Sequence, residues 1–316
     1  MSDISRAVRT VLVDCLKVGA GENVLVVTDP KRRPIGDALV AAARELEAEA
    51  VLAEMAERVT HGTEPPPAIA SAMLACDVLL APTTKSVSHT AARRAASERG
   101  ARAATMPEVT EDMLVRTMSA DYAEVKRRSE AAAELLTKGS SVTITSSIGT
   151  DLTISIEGRD GIADTGDLSA PGAFGNLPAG EGFIAPVEGR TNGTLVVDGT
   201  VWPVGRLRSP ITITIEDGYA IDMTGAEAER FREVLAPHGR EAFAVAELGI
   251  GTNEAATLTG NVLEDEKILG SVHVAFGDNH SFGGSVRVSS HQDAILTAPT
   301  LRIDGATVVE DGVFLL

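Results

Sequence analysis

The sequence predicts an α/β N-terminal domain, a parallel sheet with flanking helices, followed by a mostly antiparallel α+β domain. Two observations predict this. Over residues 1–138 short apolar β runs alternate with stretches of helical periodicity, and after Gly139 period-two alternation punctuated by turn dipeptides takes over. With 316 residues the chain is long enough for two cores, placed at 1–138 and 139–316.

In the first half, Ser2 or Asp3 caps a helix whose apolar positions Ile4, Val8, Val11, Leu12 and Cys15 keep helical spacing until Gly19 and Gly21. Val24–Val27 is an unbroken β run, suited to a strand buried on both faces. The alternation continues with a helix over Ile35–Leu46, a strand over Val51–Met55, a helix over Pro67–Leu74, a strand over Val78–Ala81, a helix over Ser86–Glu98 and a strand over Arg102–Thr105. Such alternation implies a parallel sheet with helices on its faces. The first strand is followed by Thr28-Asp29-Pro30-Lys31 and not by Gly-x-Gly-x-x-Gly, so no dinucleotide cofactor is expected. At the end of the third strand Thr84 or Ser86 is expected to cap the next helix; the functional alternative is Lys85 meeting a substrate carboxylate. Helices over Glu111–Met118 and Ala120–Thr137 close this half, the second with the solvated charge run Glu124–Arg128.

In the second half, Val142–Thr145 and Leu152–Ile156 alternate around Gly149-Thr150-Asp151, a hairpin signature. Gly158–Gly182, rich in glycine, reads as a long loop that delivers Glu181. Strands follow over Thr194–Val197, Val201–Val204, Ile211–Ile215 and Tyr219–Ile221, with Asp-Gly turns among them and one helix after them over Gly225–Leu235. Ser271–Phe276 between Gly270 and Gly277 is a short buried strand, Val286–Leu296 is extended, and Leu301–Gly305 with Val308–Phe314 forms a last hairpin.

Composition restricts the function. The net charge of −17, from 45 acidic and 28 basic residues, argues against nucleic acid or an anionic membrane as partner and is compatible with cation binding. The two cysteines, Cys15 and Cys76, lie in apolar stretches and read as buried residues of a reducing compartment. Met1–Arg6 lacks the pattern of a signal peptide, so a cytoplasmic protein is expected. Aromatic residues make up only 3% of the chain, and the sequence presents no conspicuous stacking pocket for a large flat ligand.

Three of the six histidines, His273, His280 and His291, fall among carboxylates and glycines between Glu247 and Asp293. His273 sits inside the buried run. His291 and Asp293 are two apart and leave the same face of an extended segment. Glu247 ends Phe243–Ala246 just before Gly249-Ile250-Gly251, and Glu181 follows the turn Asn176–Gly180. Imidazoles and carboxylates converging from buried strands are the donors that divalent transition metals take. Glu264-Asp265-Glu266 reads instead as the acidic first turn of a helix.

The segments NLPAGEGFIAP (176–186), ELGIGTN (247–253) and TGNVLEDEKILGSVHVAFG (259–277), with His291-x-Asp293, resemble in the same order the motifs of the aminopeptidase T family, the M29 metallopeptidases. The resemblance implies a domain carrying a metal site in which Glu181, Glu247, His273, His291 and Asp293 ligate one or two divalent ions (Zn, Co, Mn or Fe). It implies metal-dependent release of N-terminal residues from peptides, or hydrolysis of a related small amide, with Glu181 taking a proton from the metal-activated water. It also implies a homodimer. Seven residues after the motif histidine, where the family carries a catalytic tyrosine, stands His280, an imidazole able to polarise or protonate in the phenol's place. The alternative reading comes from a relative of these peptidases, 2,5-dihydroxypyridine 5,6-dioxygenase: His273, His291 and Asp293 form the two-histidine, one-carboxylate set of mononuclear non-haem Fe(II) ring-cleaving dioxygenases.

Overall fold

The computed structural model describes residues 3–316, so a cap at Ser2 lies outside the described residues. Among the described residues the strands form sheets of five, eight and seven strands. The α/β and antiparallel α+β architecture expected from the sequence is the observed one. By its contacts the chain divides into two compact units, one running to Ala123 and taking in Gly166–Ala179, the other made of Glu124–Thr165 and Gly180–Leu316.

In the first unit a helix over Asp3–Arg9 continues as a π-helical stretch, Thr10–Cys15, which buries Val11, Leu12 and Cys15. The sheet orders its strands Glu49–Glu54, Asn23–Thr28, Val78–Thr83, Arg102–Pro107 and Phe174–Asn176, all parallel. Every residue of the central strand Val78–Thr83 is buried, as an apolar run covered by helices on both faces requires. The helix expected from Ser86 starts only at Ala91, because Thr90 is the residue whose hydroxyl accepts from a first-turn amide, that of Arg93 at 3.3 Å. Thr84 instead turns its hydroxyl and amide to the buried Asp29. Lys85 lies 3.5 Å from Glu108 and 3.4 Å from His61.

Gly158–Gly182 is not the structureless loop its composition predicts. Ile162–Asp164 pairs antiparallel with Glu181–Ile184, and Phe174–Asn176 joins the parallel sheet through Ala103↔Phe174 and Thr105↔Asn176. Three-residue strands have no periodicity of their own to read; their partners impose them. Arg93 holds the added strand with its guanidinium 3.7 Å above the Phe174 ring. At the other end of the chain, the extended stretch predicted from Val286 forms a strand only from His291 to Leu296.

In the second unit the seven-stranded antiparallel sheet runs Gly205–Arg206, Thr200–Val201, His291–Leu296, Val272–Gly277, Val245–Gly251, Glu181–Ile184 and Ile162–Asp164. The alternation of each strand sends Ile184, Leu248, Ile250, Val272, Val274, Phe276, Ala294 and Leu296 into one core. The eight-stranded sheet adds Ile144, Leu152, Ile154, Leu195, Ile213 and others to that core, and the helix Ala228–Leu235 adds Phe231. Phe231 and Phe276 meet edge to face at 5.9 Å. The long helix Tyr122–Lys138 crosses the strand Glu181–Ile184 so closely that a Cβ on Gly182 would lie 2.7 Å from that of Ala132. No helix among the described residues is long and apolar enough to cross a membrane.

Phe276 is fully buried at the centre of this core. Phe276→Ala is therefore expected to lower the unfolding free energy by about 3–5 kcal/mol, read from the midpoint of a urea titration with unchanged slope. A loss below about 1 kcal/mol would show that the core does not depend on it.

Candidate metal centre

The core-facing residues of the seven-stranded sheet leave the alternate positions for its other face. A register irregularity between Val245 and Glu247 sets Glu247 opposite Ala275, while Gly249 opposes His273 and Gly251 opposes Glu181. On the next strand Ala275 opposes Asp293 and Gly277 opposes His291. Directly opposed residues share a face, so Glu181, Glu247, His273, His291 and Asp293 all project from the same side of four adjacent strands. Gly249, Gly251, Ala275 and Gly277 keep the space between the donors small-sided, and at Gly249 nothing larger would fit. A Cβ on Gly249 would stand 2.0 Å from His273 Nε2, so the imidazole lies across this glycine to reach Glu247.

The five side chains gather into two donor groups around Glu247. Glu181, Glu247 and His273 form one, and Glu247, His291 and Asp293 the other; in each the donor atoms lie within 4.8 Å of one another. His273 Nε2 is 3.2 Å from Glu247 Oε1 and 3.3 Å from Glu181 Oε2. His291 Nε2 is 3.4 Å from Glu247 Oε2 and 3.5 Å from Asp293 Oδ1. His273 is fully buried, and Glu181, Glu247 and Asp293 are at least nine-tenths buried.

Charge and protonation are set by this crowding. Burial alone would lower both imidazoles, but the carboxylates outweigh it: Glu247 and Glu181 raise His273 to about 9, and Asp293 and Glu247 raise His291 to about 10. Burial pushes Glu181 well above the ordinary carboxylate range, against the pull of Lys267. Asp293 is lowered, the attraction of His291 exceeding the cost of burial.

These residues fit a divalent ion. His291 Nδ1 lies 2.7 Å from the backbone carbonyl of Asp278; donating its proton there leaves the Nε2 lone pair aimed between Glu247 and Asp293. Glu181 Oε2 is buried without a hydrogen-bond partner. Imidazoles aimed this way, once they give up their protons, and a carboxylate oxygen short of a donor form a donor set for a divalent metal.

The sequence missed part of the surroundings. Lys267 is almost completely buried and lies 2.5 Å from Glu181 Oε1, 2.7 Å from Glu266 Oε1 and 3.5 Å from Asp164 Oδ2. Glu264 and Asp265 lie in the short helix Val262–Asp265, as expected, but serve the loop before it, accepting from the amides of Thr257, Thr259 and Gly260. Glu266 instead reaches this lysine. The signal was present in the motif itself, where Glu266-Lys267 stands six residues before His273.

His280 lies on an exposed 3-10 turn, His280–Phe282, paired with Arg287, and belongs to neither donor group. The same turn presents Phe282, whose ring meets His291 edge-on at 5.8 Å and Phe183 at 5.7 Å. Two phenylalanines 99 positions apart in the sequence thus assemble an aromatic surface beside the donors, which low aromatic content gave no reason to expect.

The family model for 2,5-dihydroxypyridine 5,6-dioxygenase matches residues 3–316. A curated 2,5-dihydroxypyridine 5,6-dioxygenase of Pseudomonas putida KT2440 is 27% identical over 201 residues, 59% of this chain and 57% of the relative, so the match spans little more than half of that protein's length. Among solved structures, the 2,5-dihydroxypyridine dioxygenase of Pseudomonas putida KT2440 is similar with a TM-score of 0.84 at 23% identity, covering 100% of this chain and 98% of the other. Wild-type AmpT from Thermus thermophilus is similar with a TM-score of 0.72 at 16% identity, covering 99% of both chains. The two structures share the fold, which bears out the structural kinship with aminopeptidase T that the motifs implied; the family model that spans the chain is that of the dioxygenase.

Two predictions follow from the geometry. Gly249→Ala displaces the His273 ring and is expected to weaken Mn(II) binding about 10–100-fold, measured by calorimetric titration; unchanged affinity would contradict the contact. Both imidazoles are raised above the ordinary 6.5, so in the metal-free protein their charge contributes stability that is full below pH 6.5 and lost as pH rises through about 9 to 10. An ion must displace those protons. Mn(II) added at pH 7.5 is thus expected to release about two protons per chain, and its affinity to tighten towards pH 9; a pH indicator showing no release would refute this.

Proposed function

This chain belongs to the 2,5-dihydroxypyridine 5,6-dioxygenase family, and from that premise we propose that it is a divalent-metal-dependent, ring-cleaving dioxygenase of a small hydroxylated aromatic substrate. One observation carries the reading: two imidazoles and Asp293 leave the same face of adjacent strands, with an aromatic surface set edge-on against one of the imidazoles. His273, His291 and Asp293 would hold a divalent iron, which would supply open coordination positions for oxygen and substrate.

The protein's own side chains supply the rest. The Asp278 carbonyl holds the His291 tautomer, and Gly249 gives His273 its orientation. Phe282 and Phe183 offer the edges and faces against which a flat ring is oriented, and they keep water from one side of it. Glu247, within 3.4 Å of both imidazoles, is the base within reach of a ring hydroxyl's proton.

A specific observation favours a second reading, the aminopeptidase-type hydrolase. Glu247 is shared by both donor groups, as a carboxylate bridging two ions would be. In that reading Glu181 takes the proton of the attacking water and His280 assists at the leaving group.

Oxygen decides between them. With Fe(II) and 2,5-dihydroxypyridine the protein is expected to consume oxygen in step with loss of the ring's ultraviolet absorbance, and His291→Ala is expected to lower that rate at least about 100-fold. Hydrolysis of an aminoacyl amide that proceeds equally well without oxygen would overturn the dioxygenase reading in favour of the hydrolase.

A further inference from the structure

Between the strands Val272–Gly277 and His291–Leu296, which pair antiparallel and need only a tight turn, the chain inserts residues 278–290. With its ends brought together by Asp278 N, which donates to Ser290 O at 2.7 Å, this connection is an Ω-loop. It folds around the fully buried Asn279, whose carbonyl accepts from the amides of Phe282 at 3.3 Å and Gly284 at 3.0 Å and whose Oδ1 accepts from Val286 N at 2.8 Å. A Cβ on Gly284 would stand 2.0 Å from the Asn279 side chain, so the loop closes on this amide without spare room. Phe282, in the turn His280–Phe282, is the residue that meets His291 and Phe183.

The base and the tip of the loop are secured by different means. At the base the ladder between the two strands holds Asp278, whose carbonyl orients His291. Near the tip the anchors are side chains from another part of the chain. Glu188 Oε1 accepts from Ser285 N at 2.6 Å and from Asn279 Nδ2 at 3.4 Å. Its other oxygen is paired with Arg159, which also donates to the Gly283 carbonyl. Both anchors start from the end of the strand Asp151–Ser155, where Arg159 N donates to Ile156 O at 3.1 Å and Val187 N to Ser155 O at 2.8 Å. Burial alone would raise the Glu188 carboxyl, yet the Ser285 amide and Arg159 hold it below the usual carboxylate range, so the bonds it accepts are charge-assisted.

We propose that Arg159 and Glu188 form a clamp that fixes where Phe282 stands against His291, and that Glu188 is thereby a specificity-determining positioning residue for a flat aromatic substrate. The inference rests on the dioxygenase reading. Glu188 acts through the loop and not on the reacting atoms. Releasing the tip leaves the base of the loop and the five donors in place, so substrate binding weakens while metal binding does not.

The test is steady-state oxygen consumption by the Fe(II)-loaded full chain with 2,5-dihydroxypyridine, beside calorimetric titration of the metal-free chain with Mn(II). Glu188→Ala is expected to raise KM about 10-fold, with kcat changed less than about 2-fold and Mn(II) affinity unchanged. Glu188→Gln keeps an acceptor for Ser285 N and loses the ion pair, so a rise of about 3-fold is expected. Phe282→Ala is expected to raise KM as much as Glu188→Ala, and the double variant no further, since both remove the same wall. An unchanged KM in Glu188→Ala, effects that multiply in the double variant, or Mn(II) affinity that falls in step with KM would overturn the clamp and leave the dioxygenase reading standing. A wild type that turns over no dihydroxypyridine would overturn that reading and this specificity together. If Glu188→Ala does not fold, Arg159→Met, which frees the loop at Gly283, carries the same expectation and the same refutations.

Discussion

Three carboxylates and two imidazoles crowded on one buried face of a sheet are stable only if positive charge lies among them. Isolated in a medium of low polarity, each ionised carboxylate would cost several kcal/mol. The site meets that requirement from within, through imidazoles whose basicity the carboxylates raise and through a lysine enclosed by acids. It also leaves donor atoms unsatisfied, Glu181 Oε2 among them, where an ion is the natural partner. Much of the surrounding architecture serves this arrangement. The opposite face of the same strands fills a continuous apolar core, which fixes the register, and a slip of one residue would bury the donors in hydrocarbon.

What the sequence revealed and what it concealed divide along physical lines. The parallel sheet was legible because strands buried on both faces read as uninterrupted apolar runs, Val24–Val27 and Val78–Ala81 above all. His291 and Asp293 were legible as a pair because a two-residue spacing has one meaning in a strand. The short strands Ile162–Asp164 and Phe174–Asn176 were hidden, since their sequence resembles any glycine-rich connection and only pairing with distant segments makes them strands. Lys267 was hidden for a related reason. A lysine between a glutamate and an isoleucine looks like a surface residue until the fold brings Glu181, 86 positions earlier, against it.

The kinship with two kinds of enzyme has a physical basis in this arrangement. What the sheet fixes is a set of donors; a reaction depends on which ion is held, how many, and what lies over them. Here the neighbours above the donors are aromatic: Phe282 touches both His291 and Phe183. The turn that carries Phe282 is tied down by Glu188, which accepts from Ser285 N at 2.6 Å and is itself paired with Arg159.

Residues 166–179 leave the antiparallel part of the chain, supply the fifth strand of the parallel sheet, and return to begin the strand that bears Glu181. The polypeptide therefore passes between the units three times, and no single cut separates them. A fragment ending at 138 would expose the backbone of Arg102–Pro107 as a naked edge, an invitation to intermolecular pairing, while the complementary fragment would carry an orphaned strand. Such interleaving ties the folding of the parallel-sheet unit to that of the antiparallel one.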